Sequence, residues 1–214
     1  MNYKTVKSIL NVEPLVRDVD VILFDMDDTV YSEKDNVRCG FRTLTEYVGD
    51  PSLYDELWNA YIEKKSSIKE VLTQRKLYTE ERYNEWLHVF RFAPSDITPY
   101  AGFCDMLDRF LADGKRLGMI TDGRVQSQEK KLAGLGIAHY FEKIIITDSL
   151  GGVEYRKPNT IAFEMMHDHF GTTYEKMVYI GDNLAKDMQP PLTLGMKFIH
   201  FDNEDGIYRQ LRRT

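Results

Sequence analysis

The chain has 214 residues, a length that suits one domain, or one domain with an insertion, and allows a sizeable hydrophobic core. Its 28 lysine and arginine residues against 34 aspartate and glutamate residues give a formal net charge of −6, which argues against a protein that binds the nucleic-acid backbone. A content of 43% hydrophobic and 29% charged residues is typical of a folded protein and excludes intrinsic disorder. The two cysteines, Cys39 and Cys104, are too few for a disulfide framework or a structural zinc site.

The sequence also leads to an expectation about the compartment. No apolar run approaches the roughly 20 residues that a membrane-spanning helix needs. The first residues of the chain lack the long apolar segment and the cleavage site of a signal peptide. We therefore expect a cytoplasmic protein without membrane or nucleic-acid partners, either a monomer or a homodimer.

Short apolar runs, each ending in a turn with acidic or hydroxyl side chains, predict buried strands. These runs cover residues 19–24, 116–120, 143–146, 177–180 and 196–201. Helical stretches over 126–135 and 160–170 separate the later runs, and Gly136 and Gly171 fall where helix ends are expected. Strands that alternate with helices indicate a Rossmann-like α/β core with a parallel sheet. In such sheets ligands bind beyond the carboxyl ends of the strands, which is where the acidic turns fall.

One connection, over residues 29–115, is far longer than a crossover between two strands requires. Aromatic and aliphatic residues recur at helical spacing within it, at Tyr54, Trp58, Tyr61, Tyr83, Leu87 and Phe90. This spacing indicates the buried stripes of amphipathic helices. We therefore predict a small helical domain over 31–100, inserted after the first strand, and a core formed by 1–30 and 101–214.

The residues that follow the predicted strands suggest a metal site. Asp25 and Asp27 come directly after the first strand, and Asp182 follows the fourth. Carboxylates this close together repel each other unless a cation or a proton offsets their charge. Mg²⁺ is the hard divalent ion that such oxygen ligands suit best.

Groups that can bind phosphate follow other strands. Thr121 offers a hydroxyl, the backbone amides of Asp122 and Gly123 can donate to an oxyanion, and Lys157 supplies a point charge suited to phosphate. A carboxylate nucleophile, a metal, a lysine and a hydroxyl together match phosphoryl transfer through an aspartyl-phosphate. Each motif is weak alone, and the competing interpretation is a chance set of polar strand ends.

Four motifs in chain order resemble the signature motifs of the haloacid dehalogenase superfamily of hydrolases. They are Asp25-Met26-Asp27-Asp28-Thr29, Thr121 within Ile120-Thr121-Asp122-Gly123, Lys157 before Pro158, and the segment from Gly181 and Asp182 to Asp187. The resemblance implies a Rossmann-like catalytic core. It also implies that the helical insertion is a cap like that of the subfamily that includes phosphoglycolate phosphatases, nucleotidases and β-phosphoglucomutase.

The resemblance implies roles for the three acidic residues at the strand ends. Asp25 would be the nucleophile and a Mg²⁺ ligand, and Asp182 would be a second ligand. Asp27 would be the general acid and base, with its backbone carbonyl facing the Mg²⁺. Dehalogenase members lack an acid at the position of Asp27, since cleavage of a carbon–halogen bond needs no protonated leaving oxygen.

The resemblance also implies how phosphate is held. Thr121 and Lys157 would bind its oxygens together with the amides of Asp122 and Gly123, and Asp187 would orient Lys157 or a metal-bound water. We therefore expect a Mg²⁺-dependent phosphatase that hydrolyses a small phosphomonoester, a sugar phosphate or a nucleotide, through an aspartyl-phosphate. The alternatives are a phosphomutase of the same family and a non-catalytic module that binds a phosphoester.

Overall fold

A computed structural model describes residues 3–63 and 65–206, and the chain divides into two compact units. One unit comprises Met1–Glu33 together with Thr98–Thr214, and the other comprises Lys34–Ile97. The core and insertion predicted from the sequence divide at 30/31 and 100/101, a few residues away from these junctions. Each unit has its own hydrophobic cluster.

The first unit is built on a six-stranded sheet in which all neighbouring strands are parallel. The strands are β1 (Tyr3–Val6), β2 (Val21–Phe24), β3 (Arg116–Thr121), β4 (Lys143–Ile146), β5 (Met177–Gly181) and β6 (Lys197–Phe201). Their order across the sheet is β1-β6-β5-β2-β3-β4. The predicted α/β class with a parallel sheet is confirmed, and each predicted apolar run contains a strand.

The central strand β2 explains why a site forms at its end. Its residues are fully buried, as expected for a strand covered on both faces. In register, Phe24 lies beside Met119 of β3 and Ile180 of β5. Asp25 therefore leaves the sheet level with the ends of both neighbouring strands, and its backbone amide donates to the Ile180 carbonyl at 2.9 Å.

The described residues of the second unit form four helices. They are α1 (Glu33–Val48), which begins at the junction, α2 (Leu53–Ile62), α3 (Ser67–Gln74) and α4 (Glu80–Phe92). On α2 the buried stripe consists of Leu53, Leu57 and Ala60. The six residues of the predicted stripes all pack against this unit's hydrophobic cluster, but each, Tyr54 and Trp58 included, is half-buried rather than fully buried. Large rings with polar tips suit such a half-buried position, where one end stays in water.

Helices of the first unit connect its strands. They are α5 (Phe103–Ala112), α6 (Val125–Leu135), α7 (Ile161–Phe170), α8 (Leu184–Asp187) and α9 (Gln189–Leu194). On α7, Phe163, Met166 and Phe170 recur at helical spacing and pack in the core cluster of the sheet. Gly136 and Gly171 end α6 and α7 in the left-handed conformation, with φ of 66° and 61°, as the sequence predicts. Among the residues described here, no helix is both long and apolar enough to cross a membrane.

The N-terminal segment forms an edge strand that the hydrophobic pattern of the sequence does not predict. Strand β1 pairs in parallel with β6, with Tyr3 beside Phe198 and Val6 beside Phe201. Of its four residues only Val6 is buried, so the segment carries no recognisable pattern of buried positions. A 3₁₀ helix over Ile9–Leu15 follows it.

Candidate active site

Three carboxylates meet near the ends of β2 and β5. Asp25 directly follows β2, Asp182 directly follows β5, and Asp187 is the last residue of α8. One carboxylate oxygen from each residue lies within 4.8 Å of the others, and all three residues are buried. Hard oxygen donors this close together could hold a divalent cation.

The electrostatics of this carboxylate cluster favour a bound cation. Burial raises the pKa of Asp25 to about 7, against the opposing attraction of Lys157. Burial, together with repulsion from Asp25, raises the pKa of Asp182 well above its usual range. Asp182 Oδ1 is buried and has no hydrogen-bond partner among the described residues. The cluster is therefore short of positive charge, and the orphaned oxygen fits a metal ligand.

Lys157 supplies the positive charge that the cluster contains. Its Nζ lies 2.9 Å from Asp25 Oδ1 and 2.8 Å from Asp187 Oδ1, and it donates to the Tyr179 hydroxyl at 2.8 Å. The side chain is only 2% exposed. Burial alone would lower the pKa of Lys157, but attraction to Asp187 and Asp25 outweighs burial and holds that pKa well above its ordinary value. Lys157 is therefore held between the two carboxylates as an ion-pair partner.

The end of β3 provides the groups predicted to bind phosphate. Thr121 is buried, and its hydroxyl accepts a hydrogen bond from Gln128 Nε2 at 2.6 Å. The carboxylate of Asp122 accepts from the Lys157 backbone amide at 3.0 Å and from the Thr147 hydroxyl at 2.9 Å. The Asp122 side chain thus ties the loop that carries Lys157 to the end of β3.

The carboxylate of Asp27 lies among donors of its own rather than in the three-carboxylate cluster. Its Oδ1 accepts from the Tyr31 hydroxyl at 2.5 Å and from Lys131 Nζ at 2.7 Å, and its Oδ2 accepts from Gln128 Nε2 at 3.0 Å. Burial would raise the pKa of Asp27, but Lys131 and these hydrogen bonds outweigh burial and hold that pKa below its usual value. Because both oxygens of the Asp27 carboxylate are engaged by these donors, the part of Asp27 that remains for the predicted metal site is its backbone carbonyl.

Gly181 allows Asp187 to approach the end of β5. A Cβ atom at residue 181 would lie 2.4 Å from Asp187 Oδ2, which is closer than any side chain could tolerate. The same Oδ2 accepts from the Asn183 backbone amide at 2.9 Å. Glycine at this position is thus required by the packing of Asp187 against the strand.

A cavity of about 280 Å³ opens at these strand ends. It is lined by the predicted residues Asp25, Asp27, Asp122, Gly123, Lys157 and Asp187. Sequence reasoning missed Gln128, Lys131 and Glu33, which line it as well. Gln128 and Lys131 are three residues apart on α6, and spacing on one face of the helix that follows β3 is the signal that could have identified them.

Comparison with known proteins identifies the family of the chain and proteins of similar fold. Residues 22–201 match the family model described as haloacid dehalogenase-like hydrolase. The glyceraldehyde 3-phosphate phosphatase of Methanocaldococcus jannaschii is 27% identical in an alignment that covers 87% of this chain and 89% of that protein. The pyrimidine 5'-nucleotidase PynA of Streptococcus pneumoniae is 26% identical and covers 85% of this chain and 83% of its own. The magnesium-bound HAD-hydrolase YfnB of Bacillus subtilis has a similar fold, with a TM-score of 0.61 at 19% identity, over 84% of this chain and 87% of its own.

Proposed function

The chain belongs to the haloacid dehalogenase-like hydrolase family and is an enzyme of the phosphatase class, and from this premise we propose that it uses Mg²⁺ to hydrolyse a small phosphomonoester through an aspartyl-phosphate. The observation that carries the proposal is the buried cluster of three carboxylates beside a buried lysine. This arrangement combines a nucleophile, oxygen ligands for a cation and a positive charge for phosphate in one buried cluster.

The proposed reaction has two steps that use the same pair of aspartates. Asp25 attacks phosphorus, the bond from phosphorus to the ester oxygen breaks, and Asp27, which enters this step in its protonated form, gives its proton to the leaving oxygen. Asp27 then takes a proton from a water molecule that attacks the aspartyl-phosphate, and the bond from phosphorus to Asp25 breaks. This step releases inorganic phosphate, restores the Asp25 carboxylate and leaves Asp27 protonated for the next turnover. A Mg²⁺ ion, when bound by Asp25, Asp182 and the backbone carbonyl of Asp27, would supply positive charge that offsets the repulsion between the Asp25 carboxylate and the phosphate group of the ester.

Residues at the end of β3 and in the loop after β4 bind the phosphoryl group. In the proposal, Lys157 and Thr121 bind phosphate oxygens with the amides of Asp122 and Gly123. The ion pair between Asp187 and Lys157 holds the ammonium group in place for this task. Because the ammonium is already fixed in the folded protein, little conformational entropy is lost when phosphate binds.

The proposed substrate is a small phosphorylated metabolite, either a sugar phosphate or a nucleotide. Two of the relatives, a glyceraldehyde 3-phosphate phosphatase and a pyrimidine 5'-nucleotidase, carry names of these two kinds. We infer that the helical unit Lys34–Ile97 corresponds to the cap domain that the family resemblance implies. The protein would work in the cytoplasm, as a monomer or a homodimer.

Phosphate release from a panel of esters tests the proposal. The panel contains glyceraldehyde 3-phosphate, 2-phosphoglycolate, uridine monophosphate and glucose 6-phosphate, each measured with Mg²⁺ and with EDTA. We expect release from at least one ester with Mg²⁺ and loss of at least about 10²-fold with EDTA, because the buried carboxylates then repel the phosphate. Mg²⁺ should also raise the Tm of the protein, since it binds the folded state.

Other outcomes would contradict the proposal. Release that EDTA leaves unchanged would argue against the metal. Interconversion of sugar phosphates with little free phosphate would favour a phosphomutase. Tight binding of an ester by calorimetry with no product would favour a binding module.

A further inference from the structure

Helix α6 brings two polar side chains to Asp27 that the motifs and the proposed mechanism do not use. Lys131 Nζ lies 2.7 Å from Asp27 Oδ1, with the two side chains 10% and 18% exposed. Gln128 Nε2 donates to Asp27 Oδ2 at 3.0 Å and to the Thr121 hydroxyl at 2.6 Å. Both carboxylate oxygens of Asp27 therefore have a partner on α6.

The local structure is built to deliver these two side chains. Gln128 and Lys131 are three residues apart, so they share a face of the helix. Gly123 has φ of 141°, and a Cβ atom there would lie 3.1 Å from Gln128 Cδ. Glycine at this turn thus leaves room for the Gln128 side chain to cross the end of β3.

Burial of Lys131 has an energetic cost that its contacts must offset. A lysine taken out of water is unfavourable unless a carboxylate pairs with it, and Asp27 is the carboxylate within ion-pair distance of Lys131 among the described residues. The pair holds the carboxylate of Asp27 at a fixed place beside the cavity. Proton transfer requires a carboxylate within hydrogen-bond reach of the leaving oxygen, so its placement affects the rate.

We infer that Lys131 is a positioning residue that holds Asp27 for proton transfer, and that Gln128 sets the distance from Asp27 to the phosphate-binding Thr121. The inference rests on the proposed function, because that function gives Asp27 its role in proton transfer. Neither residue needs to touch the substrate. The ion pair bears on both proton transfers of Asp27, and kcat/KM reports the first of them, in which the leaving oxygen is protonated.

The test compares two esters whose leaving groups differ in their need for a proton. An alkoxide leaves poorly unless it is protonated, whereas p-nitrophenolate leaves without a proton. We would measure kcat/KM for the best aliphatic phosphate of the panel and for p-nitrophenyl phosphate. The variants are Lys131→Met, which keeps the volume and removes the charge, and Lys131→Arg, which keeps the charge. Lys130→Met makes the same change at the neighbouring lysine of α6, outside the lining of the cavity.

A selective loss is the expected result. Lys131→Met should lose about 10²-fold in kcat/KM for the aliphatic ester and less than about tenfold for p-nitrophenyl phosphate, since general acid catalysis contributes about 10²–10⁴-fold. Lys131→Arg should recover most of the loss, and Lys130→Met should behave as the wild type. Gln128→Leu, which leaves the ion pair intact, should show the same selectivity with a smaller loss, and it keeps the test usable where Lys131→Met does not fold.

Three outcomes would overturn the inference. Equal losses for the two esters would make Lys131 a phosphate ligand or a structural residue. Unchanged kcat/KM in Lys131→Met for both esters would leave the ion pair without a part in the reaction. A wild-type protein that cleaves neither ester would overturn the proposed function, and the inference would fall with it.

Discussion

Asp25→Asn is expected to lose at least about 10³-fold in kcat, because the amide that replaces the carboxylate cannot attack phosphorus. Asparagine keeps the size and shape of the side chain, so the contacts of Lys157 with Asp187 and Tyr179 remain available. Binding and orientation of the ester would survive in part, which leaves a small residual rate. The measurement is the steady-state rate of phosphate release with Mg²⁺ and the best ester of the panel.

Asp168→Asn is the matched control for this change. Asp168 lies on α7 with its side chain 82% exposed, so the same substitution there should leave kcat within about twofold of the wild type. The Tm of both variants shows whether they are folded. A folded Asp25→Asn protein with full activity would rule out Asp25 as the nucleophile.

Lys157→Met is expected to reduce both activity and stability. The ammonium is the partner of two buried carboxylates, and removal of one member of a buried ion pair typically costs about 3–5 kcal/mol in free energy of unfolding. The variant should also lose at least about 10²-fold in kcat/KM, because the phosphoryl group loses a fixed positive charge. Denaturant unfolding gives the free energy, and phosphate release gives the activity.

Lys197→Met is the control for Lys157→Met. It removes a lysine from an ion pair at the surface rather than from the buried carboxylate cluster. Lys197 pairs with Asp18, whose side chain is 71% exposed, and such surface pairs contribute less than about 1 kcal/mol. We expect Lys197→Met to retain nearly the full stability and activity. If Lys157→Met were as stable as Lys197→Met, the carboxylate cluster would not depend on Lys157 for its charge balance.

The sheet could be predicted from the sequence wherever its strands are buried on both faces. Strand β2 is an unbroken apolar run because helices or loops cover both of its sides, and burial of all its residues matches that pattern. Strand β1 could not be predicted, because it is a four-residue edge strand in which only Val6 is buried. Its sequence therefore shows no alternation of buried and exposed positions that would distinguish it from a surface loop. The family assignment made from four motifs is confirmed by the match over residues 22–201.

The site could be predicted as far as parallel topology determines it. Asp25, Thr121 and Asp182 directly follow or end neighbouring strands, so their proximity follows once the sheet is parallel. Gln128 and Lys131 were not predicted, because a glutamine and a lysine on a helix resemble solvent-exposed polar positions. The burial of these two side chains depends on how closely α6 approaches Asp27. The spacing of residues along the sequence does not predict the distance between the helix and Asp27.

The proposed mechanism requires Asp25 to carry the phosphoryl group during turnover. In the most direct measurement, the protein is mixed with Mg²⁺ and an ester that carries the radiolabel in its phosphoryl group, and the reaction is stopped with acid within one turnover. Proteolysis and mass spectrometry then locate the labelled residue. The proposed mechanism predicts label on Asp25, release of that label by hydroxylamine, and no label in Asp25→Asn. Rapid phosphate release with no label on Asp25, or stable label on another residue, would contradict it.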